Sequence, residues 1–327
     1  MRPTRRRLVP ALALVGLLAC SSPPGGGPGG DASPASGVSW EELSALPTPR
    51  TEVAAATDGE RIWVVGGFAE DGATVPTSEV YDPDDDAWTP GPDLPLGVNH
   101  AMAAAEGGVV YVVGGYREGL GDPSDRAFAL IEGGWRELAP MPEPRAAGGV
   151  AVVQRKLYVV GGVGPGGLAA STLVYDPSAE TWSETEGLLT PREHLGVASD
   201  GKLVYAVGGR TGGIGSNLGA AEAFDPAAGM WETLPEMPTP RGGLAAAGTE
   251  NGFVVAPGGE ADATFEEAEA FDTGSGRWVS LPPVPTARHG LGVVAVGDVV
   301  YVIGGGTEPG LSVSGANERI DLAPLRD

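Results

Sequence analysis

Five arginines stand at one recurring offset in this 327-residue chain: Arg50, Arg145, Arg192, Arg241 and Arg288, each 16 or 17 residues ahead of a glycine pair. A planar guanidinium grips carboxylates bidentately. Equivalent arginines in a repeat therefore suit an acidic sugar or peptide, or else acidic side chains of the repeat itself. In the second repeat the place is taken by Val98, followed by Asn99 and His100. The chain has three histidines: His100 and His194 fall two residues after the arginine place, and His289 falls one after it. Three imidazoles around one axis could hold a metal, but nothing supplies the local spacing of a ligand motif, so neither a metal nor a cofactor is expected. Directly after the glycine pairs stand Phe68, Tyr116, Val163, Arg210, Glu260 and Gly306. Glu260 and Arg210 stand directly after the glycine pairs of successive repeats, a carboxylate and a cation. No catalytic residue is assigned.

These residues are positioned by a repeated phrase. Ile62-Trp63-Val64-Val65-Gly66-Gly67 returns with its glycine pair at Gly114-Gly115, Gly161-Gly162, Gly208-Gly209, Gly258-Gly259 and Gly304-Gly305, at intervals of 48, 47, 47, 50 and 46 residues. A period near 47 residues with β-branched runs predicts a repeat architecture built from strands. In the first unit Val53–Thr57 is a small apolar strand, Asp58-Gly59 a hairpin turn, and Arg61–Val65 a second strand. A third strand follows at Thr77–Tyr81, a turn at Asp82–Asp86, and a fourth strand opens at Trp88. Later units repeat Tyr175-Asp176-Pro177, Phe224-Asp225-Pro226 and Phe271-Asp272, with Trp135, Trp182, Trp231 and Trp278 on their fourth strands. Each unit therefore reads as a four-stranded antiparallel meander. The glycine pairs mark places where neighbouring backbones come too close for a Cβ.

The set of Gly-Gly, Tyr-Asp-Pro and Trp at fixed offsets resembles the kelch repeat, over about residues 38 to 325. That resemblance implies an all-β fold, a six-bladed β-propeller of four-stranded antiparallel blades. The sixth unit stops before any Trp, whereas Trp40 lies 48 residues ahead of Trp88 and is followed by the same Leu-Pro link. The N-terminal segment is thus expected to supply the outer strand of the last blade and close the ring. Kelch-type copper oxidases use a Cys-linked Tyr, and no Cys lies within the repeats. The Asp82–Asp86 run lacks the Gly and terminal Glu of an EF-hand loop and reads as an acidic turn.

Residues 1–19 read as an export signal, with Arg2, Arg5, Arg6 and Arg7 ahead of an apolar run that is too short to span a bilayer. Leu17-Leu18-Ala19-Cys20 resembles the bacterial lipobox, which implies lipidation at Cys20, the single cysteine. Residues 20–37 form a Gly/Pro/Ser tether and 38–327 the propeller. Ser21 replaces the Asp that would signal inner-membrane retention, which favours the outer membrane, facing periplasm or cell surface. A net charge of −23 repels nucleic acid and anionic headgroups, leaving the lipid anchor as the membrane contact.

Strand alternation sends the loop after each glycine pair and the Pro-Arg link to one face. The ligand-face candidates are Arg50, His100, Tyr116, Arg145, Arg192, His194, Arg210, Arg241, Glu260, Arg288 and His289. The expected role is an envelope-anchored, monomeric binding or scaffolding protein taking a protein or glycan ligand on that face. The alternative is a carbohydrate-active propeller similar to bacterial kelch proteins that interconvert sialic acid anomers.

Overall fold

The computed structural model describes residues 35–326, and every regular element beyond two short 3-10 turns is a strand. Six four-stranded antiparallel sheets follow one another along the chain as the blades of a β-propeller. Blade 1 runs outward through Ala54–Thr57, Ile62–Val65, Ser78–Asp82 and Ala87–Pro90, each strand pairing with the next. Blades 2 to 5 repeat that order, beginning at Met102, Gly149, Gly196 and Ala247. Blade 3 adds a small hairpin, Val163–Gly164 with Gly167–Leu168, in its loop.

Blade 6 takes three strands from the C-terminal end of the chain and the fourth from the N-terminal side. Trp40–Glu42 pairs antiparallel with Asn317–Asp321, Trp40 opposite Ile320. The closure expected from the position of Trp40 is therefore present. Residues 1–34, which hold the signal, Cys20 and most of the tether, lie outside the described residues.

Each outer-strand Trp also reaches into the preceding blade. Trp88, Trp135, Trp182, Trp231 and Trp278 donate their indole Nε1–H to the carbonyls of Ser44, Pro92, Ala139, Glu186 and Pro235. Trp40 does the same to Pro282 at 2.8 Å, so the seam is built like the other five joints. Aromatic rings continue the contact inward: Tyr301 packs on Tyr81, Tyr111 on Tyr175, Tyr158 on Phe224 and Tyr205 on Phe271, centroids 5.8–6.2 Å apart.

The glycine pairs splice blade to blade. The second glycine of each pair donates its N–H to the carbonyl at the arginine place of the next blade, from Gly67 to Val98 at 2.7 Å round to Gly305 and Arg50 at 2.8 Å. At Gly114, φ is +66° and a Cβ would stand 2.1 Å from the Arg145 oxygen. Only glycine meets both demands, a left-handed backbone and a neighbour at contact distance.

Candidate functional site

The five arginines are fully buried. Arg50 pairs with Glu79 (2.8 Å), Arg192 with Glu222 (2.7 Å), Arg241 with Glu269 (2.6 Å) and Arg288 with Glu318 (2.5 Å), each glutamate lying on the third strand of the same blade. Further guanidinium hydrogens go to backbone carbonyls, such as Gly66 and Thr77 for Arg50 and Ala206 and Gly208 for Arg192, while Nε of Arg145, Arg241 and Arg288 has no hydrogen-bond partner. Burial pulls these guanidinium pKa values down and the paired carboxylates pull them back. Arg50, Arg145, Arg192, Arg241 and Arg288 therefore carry the fold and present nothing to a ligand, which corrects the reading of them as a ligand ring. While its side chain clamps its own blade, each arginine offers its carbonyl to the glycine pair of the blade before.

Two blades depart, and both departures are paired. In blade 2, where Val98 replaces the arginine, Phe128 occupies the third-strand place held by Glu79 in blade 1, and both lie in one buried apolar cluster. In blade 3 that place is Leu173, and Arg145 turns to Glu143 in its own link (3.2 Å).

The residues two after the arginine place form a second ring. Glu52, His100, Ala147, His194, Gly243 and Gly290 all hold φ between +51° and +70°. Their backbones are chained around the axis: His100 N–H donates to Glu52 O, Ala147 to His100, His194 to Ala147, Gly243 to His194 and Gly290 to Gly243, at 2.7–3.0 Å. This ring stands at one end of an axial cavity of about 330 Å³ lined by the inner strands, whose alanines and glycines leave it open.

Side chains of that ring and of the neighbouring loops converge there. His100 Nε2 lies 3.1 Å from Glu52 Oε2, and His100 Nδ1 lies 2.6 Å from Asn99 Oδ1. The His100 and His194 rings meet edge to face at 4.9 Å, and Tyr116 and Phe68 flank His100 at 5.5 and 6.0 Å. His194 Nδ1 stands 2.9 Å from Glu193 Oε2, and Arg210 bridges Glu193 (3.1 Å) and Glu260 (2.9 Å). His289 Nε2 is 3.6 Å from both Glu52 Oε1 and Glu260 Oε2. Burial drives the His100 pKa down to about 4, more than the Glu52 carboxylate restores, so His100 is neutral at neutral pH. Burial also works against the Glu193 carboxylate, but contacts with His194 and Arg210 outweigh it and hold Glu193 below the usual range.

Of the candidates read from the sequence, the fold thus brings together His100, Tyr116, His194, Arg210, Glu260 and His289. It does so as an inward-facing, mutually paired cluster instead of an open rim: Tyr116, Arg210, Glu260, His100 and His289 are all buried. Glu52, Asn99 and Glu193 join them, and the signal for these three in the sequence is their offset of one or two residues after the arginine place, which they share with the histidines. Glu52, His100 and His194 each offer one ligand atom, all within 4.8 Å of one another, and among the described residues they are the group that could hold a metal.

Comparison with known proteins agrees with this geometry. A kelch-repeats domain model, described for KLHDC2, KLHL20 and DRC7, matches residues 142–305, and the kelch motif matches residues 49–95. The chain belongs to the kelch-repeat family. It is 30% identical over 246 residues to kelch-like protein terF of Aspergillus terreus, covering 67% of this chain and 52% of that protein. It is 26% identical over 221 residues to beta-scruin of Limulus polyphemus, covering 64% and 24%, and 27% identical over 206 residues to kelch-like protein 23 of Mus musculus, covering 62% and 36%. The chain therefore spans about half, or less, of the length of these relatives.

Proposed function

We propose that this kelch propeller is a protein-binding module, docking its partner on the face that carries the glycine-pair loops. The observation that carries this reading is the distribution of exposed apolar side chains. Of the large hydrophobic residues exposed among those described, Leu120, Leu189 and Leu311 stand on this one face, in the loops after two glycine pairs and in one inter-blade link; Met230, on an outer strand, is the exception. Their exposures of 57–64% leave them free to enter a partner's surface. Around them the exposed charges are mostly acidic, Glu70, Asp71, Glu118 and Glu308 among them, which suits a partner presenting basic residues around an apolar centre.

A sugar epimerase is the weaker reading, because Arg210 and Glu260 neutralise each other at 2.9 Å and both are buried. Anchoring at the envelope through an acyl chain on Cys20, with the propeller monomeric and in the outer membrane, belongs to the same proposal and rests on the sequence of the leader. The test is capture by cross-linking from an envelope extract, with parent protein and the triple variant Leu120→Asp, Leu189→Asp, Leu311→Asp side by side. The variant is expected to keep its melting temperature and lose its captured partner. Equal capture by both would place recognition elsewhere.

A further inference from the structure

We propose that Glu52, His100 and His194 form a binding site for one divalent late first-row transition-metal ion, zinc being the natural occupant, at the loop-face end of the axial cavity. The tautomers lead to it. Asn99 Nδ2 donates to Thr74 Oγ1 (2.8 Å), Gly119 O (3.2 Å) and Tyr116 O (3.4 Å), which turns its Oδ1 to His100 Nδ1. An amide oxygen only accepts, so His100 Nδ1 carries a proton and its Nε2 is the nitrogen left to meet a cation. Nε2 faces the Glu52 carboxylate at 3.1 Å, an edge that either a proton or a metal ion holds together.

At His194 the neighbour is a carboxylate. Glu193 Oε2 stands 2.9 Å from His194 Nδ1, a close charge contact without hydrogen-bond alignment, and Glu193 is itself tied to Arg210. Each imidazole thus has an oxygen beside its far nitrogen, and at His100 this is the outer-shell hydrogen bond that orients metal-bound histidines. Metal–ligand bonds of about 2.0–2.2 Å in a tetrahedron put ligand atoms roughly 3.3–3.5 Å apart. The His100–Glu52 edge is already at 3.1 Å and the third atom needs a short side-chain rotation, all lying within 4.8 Å.

The backbone adds an independent observation. A left-handed conformation is strained for most residues with a Cβ, by about 1–2 kcal/mol. Gly243 and Gly290 hold it freely and Ala147 (φ +54°) holds it with a methyl group, so the ring imposes the conformation; Glu52 (φ +54°), His100 (+51°) and His194 (+51°) hold it with side chains whose ligand atoms converge within 4.8 Å. That convergence at strained positions is what points to a working site. Two imidazoles favour zinc, cobalt or nickel over magnesium or calcium, which take oxygen donors. With side-chain exposures of 5–12% the three ligands are shielded but reachable.

The experiment uses untagged full-length protein, stripped with a chelator and titrated with Co²⁺. Visible d–d absorption gives stoichiometry and geometry, and Zn²⁺ is added afterwards in competition. The expected result is one equivalent of Co²⁺, displaced by Zn²⁺, with a raised melting temperature. His100→Gln and His194→Gln should each weaken binding at least tenfold, and Asn99→Ala, which frees the His100 tautomer, by roughly 10–100-fold. Glu60→Gln, on the exposed hairpin turn of blade 1, should change nothing. Circular dichroism confirms folding; were His100→Gln misfolded, His194→Gln decides. Absence of a stoichiometric complex, or binding unaltered in the folded histidine variants, overturns the proposal and leaves a proton shared between His100 and Glu52.

Discussion

Blade 2 is a natural replacement experiment for the buried ion pairs, and it can be repeated by design in blade 5. There Arg241, with a fully buried side chain, meets Glu269 Oε2 at 2.6 Å, and Thr239 Oγ1 donates to the other carboxylate oxygen at 2.8 Å. Arg241 also donates to the carbonyls of Thr239 (3.1 Å) and Ala256 (2.6 Å). Changing Glu269→Phe alone removes the sole carboxylate this guanidinium contacts and strands a buried charge. Such a loss costs about 3–5 kcal/mol, because desolvation is no longer offset. For a domain of this size that is a fall of roughly 10 °C in melting temperature. Arg241→Val alone should cost about as much, by stranding Glu269.

The double variant Arg241→Val, Glu269→Phe copies the Val98 and Phe128 combination of blade 2. If the pair matters as a pair, the double variant should melt well above the sum of the two losses, with a coupling energy of at least about 2 kcal/mol. Guanidinium unfolding of the four proteins, followed by tryptophan fluorescence, closes the cycle. Additive losses, with the double variant the least stable, would show that Val98 and Phe128 are tolerated by blade 2 alone and that the pairing logic is wrong.

The other predictions are simpler. Gly114→Ala puts a Cβ 2.1 Å from the Arg145 oxygen and should destabilise by more than about 3 kcal/mol, whereas Gly107→Ala, at φ +60° with open space around it, should cost only about 1 kcal/mol in the same melt. Deleting residues 38–46 removes the Trp40–Glu42 strand, the Trp40–Pro282 bond and buried Leu46, and should unfold the propeller cooperatively; an unchanged thermal midpoint would refute closure by that strand. Intact-mass analysis of membrane-extracted protein should show an acyl addition that vanishes in Cys20→Ser, and an unmodified Cys20 mass would remove the anchor.

Blade number, strand order and ring closure were legible because each has a periodic signature: Gly66-Gly67 and its echoes, Tyr81 with Trp88, and Trp40 one period early. The role of Arg50 and its equivalents was not, because the partners lie far along the chain. Glu79 and Glu318 are 29 and 30 residues after Arg50 and Arg288, and nothing in a Pro-Arg dipeptide says whether a guanidinium turns inward or out. The convergence of Glu52 with the histidines was hidden for a related reason. Glu52 shares its ring with His100 and His194, but it falls in a different repeat with a different side chain, and only the left-handed backbone puts all three at one point.

Repeated and unrepeated residues therefore divide the work differently from what repetition suggests. The arginine place is nearly uniform, and where it changes a compensating residue changes with it, which is the behaviour of a packing position. The axial ring two residues later is joined through its backbone, so its side chains vary without breaking the joint: Glu, His, Ala, His, Gly, Gly. Glycine at all six places would relieve strain of about 1–2 kcal/mol at each of Glu52, His100, Ala147 and His194. Keeping the carboxylate and the two imidazoles, with Asn99 and Glu193 set beside the histidines, costs stability that the propeller itself does not need. A cluster maintained against that cost is better explained by what it binds than by what it holds together.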